Sequence, residues 1–213
     1  MRYSLLLLIL LAYRCQPEHD LPVTFELHSS WQLKKVTESV WRSATVPGSV
    51  HSDLLDHSLI EDPFIGDNEK DLQWVSETDW EYKTSFSLDE ETLEKKNIEL
   101  NFEGLDTYAS VYLNDSLILK ANNAFREWNV DIKLLLKSEN ELRILFESTT
   151  KYEAIEKEKL PYKLPVDNRV FTRKAQFQYG WDWGPELNTN GIWRPIKLKA
   201  WDDFKIKNTY INY

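Results

Sequence analysis

The sequence predicts an all-β protein built as an antiparallel sandwich of two packed sheets. Two observations carry this expectation. Short runs with period-two alternation of apolar and polar residues recur along the chain, separated by turn residues, and after the first twenty positions no segment sustains a long apolar repeat at helical spacing. The chain has 213 residues, 13% of them aromatic and nine of them Trp, enough to fill a broad core. Those aromatics suit a β-rich core or surfaces that stack on sugars, and composition does not choose between the two.

Residues 1–15 read as a leader. Arg2 is followed by an apolar run from Leu5 to Ala12 and then by polar residues. The run is too short for a stable membrane span and fits the central region of a secretory signal, so no transmembrane span is expected in a mature chain. The other reading makes it an ordinary buried strand. Cys15, the only cysteine, is a candidate lipidation site, although Arg14 stands where a small residue would be expected before it. One Cys cannot form an internal disulfide, so stability must come from packing. Export to a periplasmic, extracellular or lysosome-like compartment follows from this reading, with a membrane-anchored lipoprotein as a variant of it.

One short helix is expected at 49–58, SVHSDLLDHS. Pro47-Gly48 and Ser49 supply the turn and start signals, and Val50, Leu54 and Leu55 could share its buried face. Residues 80–88 alternate Trp80, Tyr82, Thr84, Phe86 and Leu88 against polar neighbours, which predicts a half-buried strand. The charged DEETLEKK connects it to a strand at 97–102. Strands at 107–113 and 116–119 flank Asn114-Asp115, two residues that tolerate positive φ and suit a hairpin. A further strand at 140–147 carries Leu142, Ile144 and Phe146 on one face. Residues 148–165 leave the sandwich, helical at KYEAIEKEK and extended afterwards, because Pro161 and Pro165 argue against a central strand. Strand character returns at 191–200, where Pro195 implies an edge position or a bulge. The last residues alternate again. The resulting division is a leader at 1–15, a sandwich at 22–202 and the start of a second β-sandwich at 203–213.

With 26 basic and 35 acidic side chains the formal net charge is −9, and no basic cluster stands out, so nucleic acid is excluded as a partner. There is no phosphate loop, no HExxH and no CxxC, and the four histidines are scattered, so neither cofactor nor metal is expected. His51 and His57, six residues apart, would fall on opposite faces of a helix.

The chemistry concentrates in FQYGWDWGP, residues 177–185. A sugar presents a rim of hydroxyls and an apolar C–H face, and a protein grips it with an aromatic surface beside a carboxylate. Trp181, Asp182 and Trp183 supply both within three residues, Gly180 and Gly184 permit a tight path, and Pro185 stiffens the exit. In a strand the two indoles would point away from Asp182; in a loop all three could converge. The bland alternative buries both Trp residues and leaves Asp182 capping a turn. Arg173 and Lys174 are candidate supports of this loop or solvated surface charges, and Trp74, in DLQWVSETDW, is a further candidate loop aromatic. Asp106 could cap the strand that follows Gly104. No pair of carboxylates is singled out for the double displacement that retaining glycosidases use, so no catalytic residue is assigned.

Three ordered blocks, WRSATVPGSVHSDLLDHSLIEDPFIGDNEKDLQWVSETDWEYKTSF at 41–86, NFEGLDTYASVYLND at 101–115 and FTRKAQFQYGWDWGPELNTNGIWRPIKL at 171–198, resemble the N-terminal domain of β-mannosidases of glycoside hydrolase family 2. The resemblance implies a jelly-roll-like, galactose-binding-domain-like sandwich, followed by an immunoglobulin-like domain beginning near residue 203 and then a TIM-barrel catalytic domain that holds both catalytic glutamates. It implies that Asp182 contacts hydroxyls of a terminal mannose and that Trp181 and Trp183 form the pocket wall. The partner would be a β-mannoside oligosaccharide, cleaved with retention and without a cofactor. A free-standing carbohydrate-binding module, and the related exo-β-glucosaminidases and β-galactosidases, are the alternatives.

Overall fold

A computed structural model describes residues 22–165, 168–206 and 209–212; the leader and Cys15 lie outside the described residues. Strands β1 (Val23–Glu26), β2 (Gln32–Lys35) and β3 (Arg42–Ser43) come first, then helices α1 (Val50–Asp56) and α2 (Asn68–Asp71), strand β4 (Trp80–Ser87) and helix α3 (Glu90–Glu94). Strands β5 (Asn97–Phe102), β6 (Tyr108–Leu113), β7 (Ser116–Asn122), β8 (Trp128–Asp131) and β9 (Glu139–Phe146) follow. Helix α4 (Thr149–Glu158), the short pair β10 (Tyr179–Trp181) and β11 (Gly184–Glu186), and β12 (Ile196–Trp201) complete the order. One sheet runs β1-β12-β5-β8 and the other β3-β2-β4-β9-β6-β7, with antiparallel pairing throughout both.

The core lies between these sheets, filled by alternate residues of each. Trp80 and Tyr82 of β4, Val111 and Leu113 of β6, and Leu142, Ile144 and Phe146 of β9 come from the larger sheet; Ile98, Leu100 and Phe102 of β5 and Ile196, Leu198 and Ala200 of β12 come from the smaller. Each such large side chain contributes about 1.5–3 kcal/mol through the apolar area it removes from water. Tyr82 and Phe146 meet edge to face at 5.7 Å. The β6–β7 hairpin turns at Asn114 (φ 48°) and Asp115 (φ 66°), the paired left-handed conformation whose twist matches the flanking strands.

Five expectations are corrected. The sheets form a sandwich but do not close into a true jelly-roll barrel; β3, two residues long, ends one edge of the larger sheet. More than one short helix is present: Asp89 caps the charged connection by accepting from Thr92 N at 2.8 Å, so that DEETLE closes into α3, and α2 adds a turn upstream of Trp74. Pro195 occupies neither an edge strand nor a bulge. It precedes β12, which lies inside its sheet between β1 and β5 and keeps every ladder donor from Ile196 onward. The described residues after Trp201 form no strand. Within α1, Ser49 caps the helix and Val50 and Leu54 are buried, but Leu55 is exposed and Asp53 takes the inward position. The Asp53 carboxylate accepts from Thr45 N at 2.8 Å and from the Tyr82 hydroxyl at 3.0 Å, and burial pushes its pKa up to about 6 against those bonds.

Candidate functional site

The segment from Thr172 to Ile192 leaves the sandwich and returns to it, anchored at both ends. Ala124 N donates to Arg173 O at 2.8 Å where it leaves. Where it returns, Asp106 and Gly191 exchange backbone bonds of 2.9 and 3.0 Å, Val50 N donates to Asn190 O and Gly48 N to Ile192 O.

Between these anchors lies a buried polar cluster. Lys174, whose side chain is fully sealed, donates to Asn188 Oδ1 and to Thr189 O, both at 2.6 Å, and its ammonium stands 3.4 Å from the Asp106 carboxylate. Burial pushes Lys174 below the usual lysine range while Asp106 opposes the shift. Asp106 also accepts from Gln178 Nε2 at 2.8 Å and from the Thr107 hydroxyl, and Gln178 Oε1 receives Thr189 N at 3.2 Å. Tyr179 donates its hydroxyl to the buried Glu153 of α4. His51 faces the same region: burial, then the nearby Lys174 charge, lower its pKa to about 4, and its Nδ1 has no hydrogen-bond partner.

On this base stands the β10–β11 hairpin, with Trp181 opposite Gly184 and only Asp182 and Trp183 in the turn. Gly180 has φ +70°, where a side chain would be strained. A β-carbon at Gly184 would lie 2.3 Å from Trp181 Nε1, so the indole lies directly over that glycine. Trp181 and Trp183 are 57% and 76% exposed, with ring centroids 4.3 Å apart. Exposure of this size rules out the core reading of the two indoles. Both rings and Asp182 line one cleft of about 430 Å3, whose opposite wall comes from Pro63, Phe64 and Glu69. That volume suits a small ligand, and the cleft offers aromatic faces beside a carboxylate. A second cavity of about 190 Å3 at Ala124, Phe125, Phe177 and Trp193 is lined largely by apolar groups, and the one carboxylate on it, Asp106, is already engaged.

The candidate supports separate. Lys174 lies inside the cluster beneath the hairpin, whereas Arg173 is exposed and meets the sandwich through its backbone. Trp74 is half-buried against the core, its ring 6.1 Å from Trp80 with Lys35 over its face at 4.1 Å, and it is not part of the cleft. Its neighbour Gln73 does reach the hairpin, donating to Glu186 O at 2.9 Å and to Glu69 O at 2.8 Å. Sequence reasoning passed over Gln73, Gln178 and Asn188. Their signal was position alone: amides set among aromatics on either side of the Trp-rich turn. Asp106 holds the returning segment rather than capping a strand. His51 and His57 belong to different settings, the first half-buried with its Nδ1 sealed from water and the second bonded to Ser43 O at 2.8 Å. Among the described residues no group of His, Cys, Asp or Glu could hold a metal ion, and no helix is long and apolar enough to cross a membrane.

Comparison with known proteins gives this geometry a family. The solved structure of a β-D-mannosidase from Dictyoglomus thermophilum superimposes with a TM-score of 0.81 at 43% identity, covering 84% of this chain and 23% of that one. β-Mannosidase B of Thermothelomyces thermophilus is 39% identical over 189 residues and the β-mannosidase of Mus musculus 34% identical over 190, each alignment covering 84% of this chain and 22% of the relative. The chain thus spans about a fifth of the length of the curated relatives it matches. The model of the glycosyl hydrolase 2 galactose-binding domain-like family matches residues 31–194, most of the described sandwich, and the chain belongs to that family.

Proposed function

We propose that this chain is the N-terminal accessory domain of a β-mannosidase and that its Trp181-Asp182-Trp183 hairpin forms part of the wall of the sugar site. The observation that carries the proposal is the exposed indole pair beside Asp182 in one cleft, together with the similarity to β-mannosidases. Large apolar rings held in water on a braced hairpin are costly unless a ligand or a neighbouring domain covers them. In this reading the Asp182 carboxylate accepts hydroxyl donors of a bound ring, and such contacts accelerate cleavage when they strengthen as the ring flattens toward the transition state.

In this reading bond cleavage belongs to residues outside this chain. A carboxylate on a TIM-barrel domain attacks the anomeric carbon of a terminal, non-reducing β-mannose, a second protonates the leaving oxygen, and water then releases the covalent sugar with net retention. An immunoglobulin-like domain from about residue 203 would connect the two, and the leader at 1–15 makes the enzyme an exported one. No cofactor enters.

The test is Asp182→Ala in the full-length protein, assayed on an aryl β-mannoside. We expect kcat/KM to fall roughly 10- to 100-fold, the loss of one or two charge-assisted hydrogen bonds, with an unchanged melting temperature. Unaltered kinetics would refute the substrate role. Hydrolysis by the 213-residue chain alone would refute the division of labour, and tight mannose binding by it would favour a free-standing module.

A further inference from the structure

The wall that faces the hairpin is itself built. Phe64 N donates to Asp62 Oδ1 at 2.9 Å, and Asn68 Nδ2 donates to Asp62 O at 2.9 Å, which folds residues 62–68 into consecutive turns. These turns hold Phe64 out of the core, 73% exposed, on the rim of the cleft. Glu69 follows on α2. The Gln73 carboxamide then bonds both walls through one nitrogen, at 2.8 Å to Glu69 O and at 2.9 Å to Glu186 O, so the separation of Glu69 from the hairpin is set by a rigid amide.

The acids of this wall are not alike. Asp62 is occupied by Phe64 N and Asp67 is paired with Lys70 at 2.7 Å. The Glu69 carboxylate attracts the neighbouring Lys70 ammonium only at longer range than the Asp67 pair, and among the described residues neither it nor the Asp182 carboxylate is held by a short hydrogen bond or ion pair. The cleft is therefore lined by two acidic residues, Glu69 from one segment and Asp182 from the other, together with Trp181, Trp183 and Phe64. A pyranose carries hydroxyls around its whole rim, so one carboxylate reads only one edge; a second, across the cleft, reads the other.

We propose that Glu69 is a second hydroxyl-reading residue of the sugar cleft, with Phe64 as the apolar surface beside it. The proposal rests on the reading that this cleft holds the sugar, and it adds a specificity residue from the opposite wall.

The experiment uses the full-length protein with an aryl β-mannoside and its singly deoxygenated analogues. Glu69→Ala and Glu69→Gln are compared with Asp182→Ala. Glu69→Ala is expected to lower kcat/KM roughly 10- to 100-fold. One deoxy analogue should lose its penalty in Glu69→Ala while keeping it in Asp182→Ala, the non-additivity that marks a direct contact. If Asp182→Ala impairs the enzyme and Glu69→Ala stays within about twofold, the inference falls and the reading of the hairpin stands. If neither changes, the reading itself falls. If Glu69→Ala is impaired but every deoxy penalty remains additive, Glu69 acts by packing against neighbouring polypeptide and the contact is overturned.

Discussion

Replacing Lys174 by Met gives the sharpest measure of how the hairpin is held. The substitution keeps most of the side-chain volume and removes the ammonium. Asn188 Oδ1 and Thr189 O each lose a donor at 2.6 Å, and Asp106 loses a cation at 3.4 Å while keeping Gln178 and Thr107. Breaking one partner of a buried pair costs about 3–5 kcal/mol, because the remaining charge stays buried. The orphaned acceptors act within that range, since groups in one network do not add. In a domain of this size the loss lowers the melting temperature by roughly 6–20 °C. Urea unfolding at pH 7, followed by tryptophan fluorescence, measures it. A second reading comes from His51, whose low pKa is due first to burial and then to Lys174. In the Met variant the imidazole should titrate above its value of about 4 yet below 6.5, as followed by NMR. A stability loss under about 1 kcal/mol, with His51 unmoved, would refute the clamp.

Two further outcomes follow from the buried groups and the turn. Asp53, with its folded pKa raised to about 6, contributes stability that is complete below about 3.8 and lost as pH rises through 6; His51, with its folded pKa lowered to about 4, contributes stability present above 6.5 and lost as pH falls through 4. The two slopes oppose each other between pH 4 and 6, each on the order of 2 kcal/mol after allowance for solvent screening. Urea midpoints across that window should therefore rise on acidification in His51→Gln and fall in Asp53→Asn, and parallel profiles would contradict the assignment. Gly184→Ala places a β-carbon where the Trp181 indole now lies, so the indole pair must separate. We expect the exciton couplet of the paired indoles to vanish from the circular dichroism spectrum, with the melting temperature within about 2 °C of the parent because both rings are exposed.

Much of the sandwich was legible because the large apolar residues of β4, β5 and β9 recur at every second position, although β5 and β6 also bury residues between them. Trp80, Tyr82 and Thr84 alternate into the core, as do Leu142, Ile144 and Phe146, and Asn114-Asp115 has the chemistry its turn demands. The first strands were not legible. β2 reads QLKK and buries only Leu33 fully, so its identity comes from pairing with β4 rather than from its own pattern. The cleft was half visible: the turn of aromatics and acid stands out in the sequence, while the wall at Phe64 and Glu69 meets it only through the fold. Lys174 illustrates the converse limit. Lysines are overwhelmingly surface residues, and nothing local distinguishes one that will be sealed against Asp106, 68 positions upstream.

The place of β12 between β1 and β5 constrains biosynthesis. During translation, residues 23–26 emerge early and wait for a neighbour that leaves the ribosome more than 170 residues later. Until then β1 has no ladder at all and β5 is paired only with β8, so the smaller sheet can begin at β5–β8 but closes only when β12 arrives. Until β12 emerges the layer over the apolar face of the larger sheet is unfinished, the interval in which a chaperone would find the nascent domain most receptive.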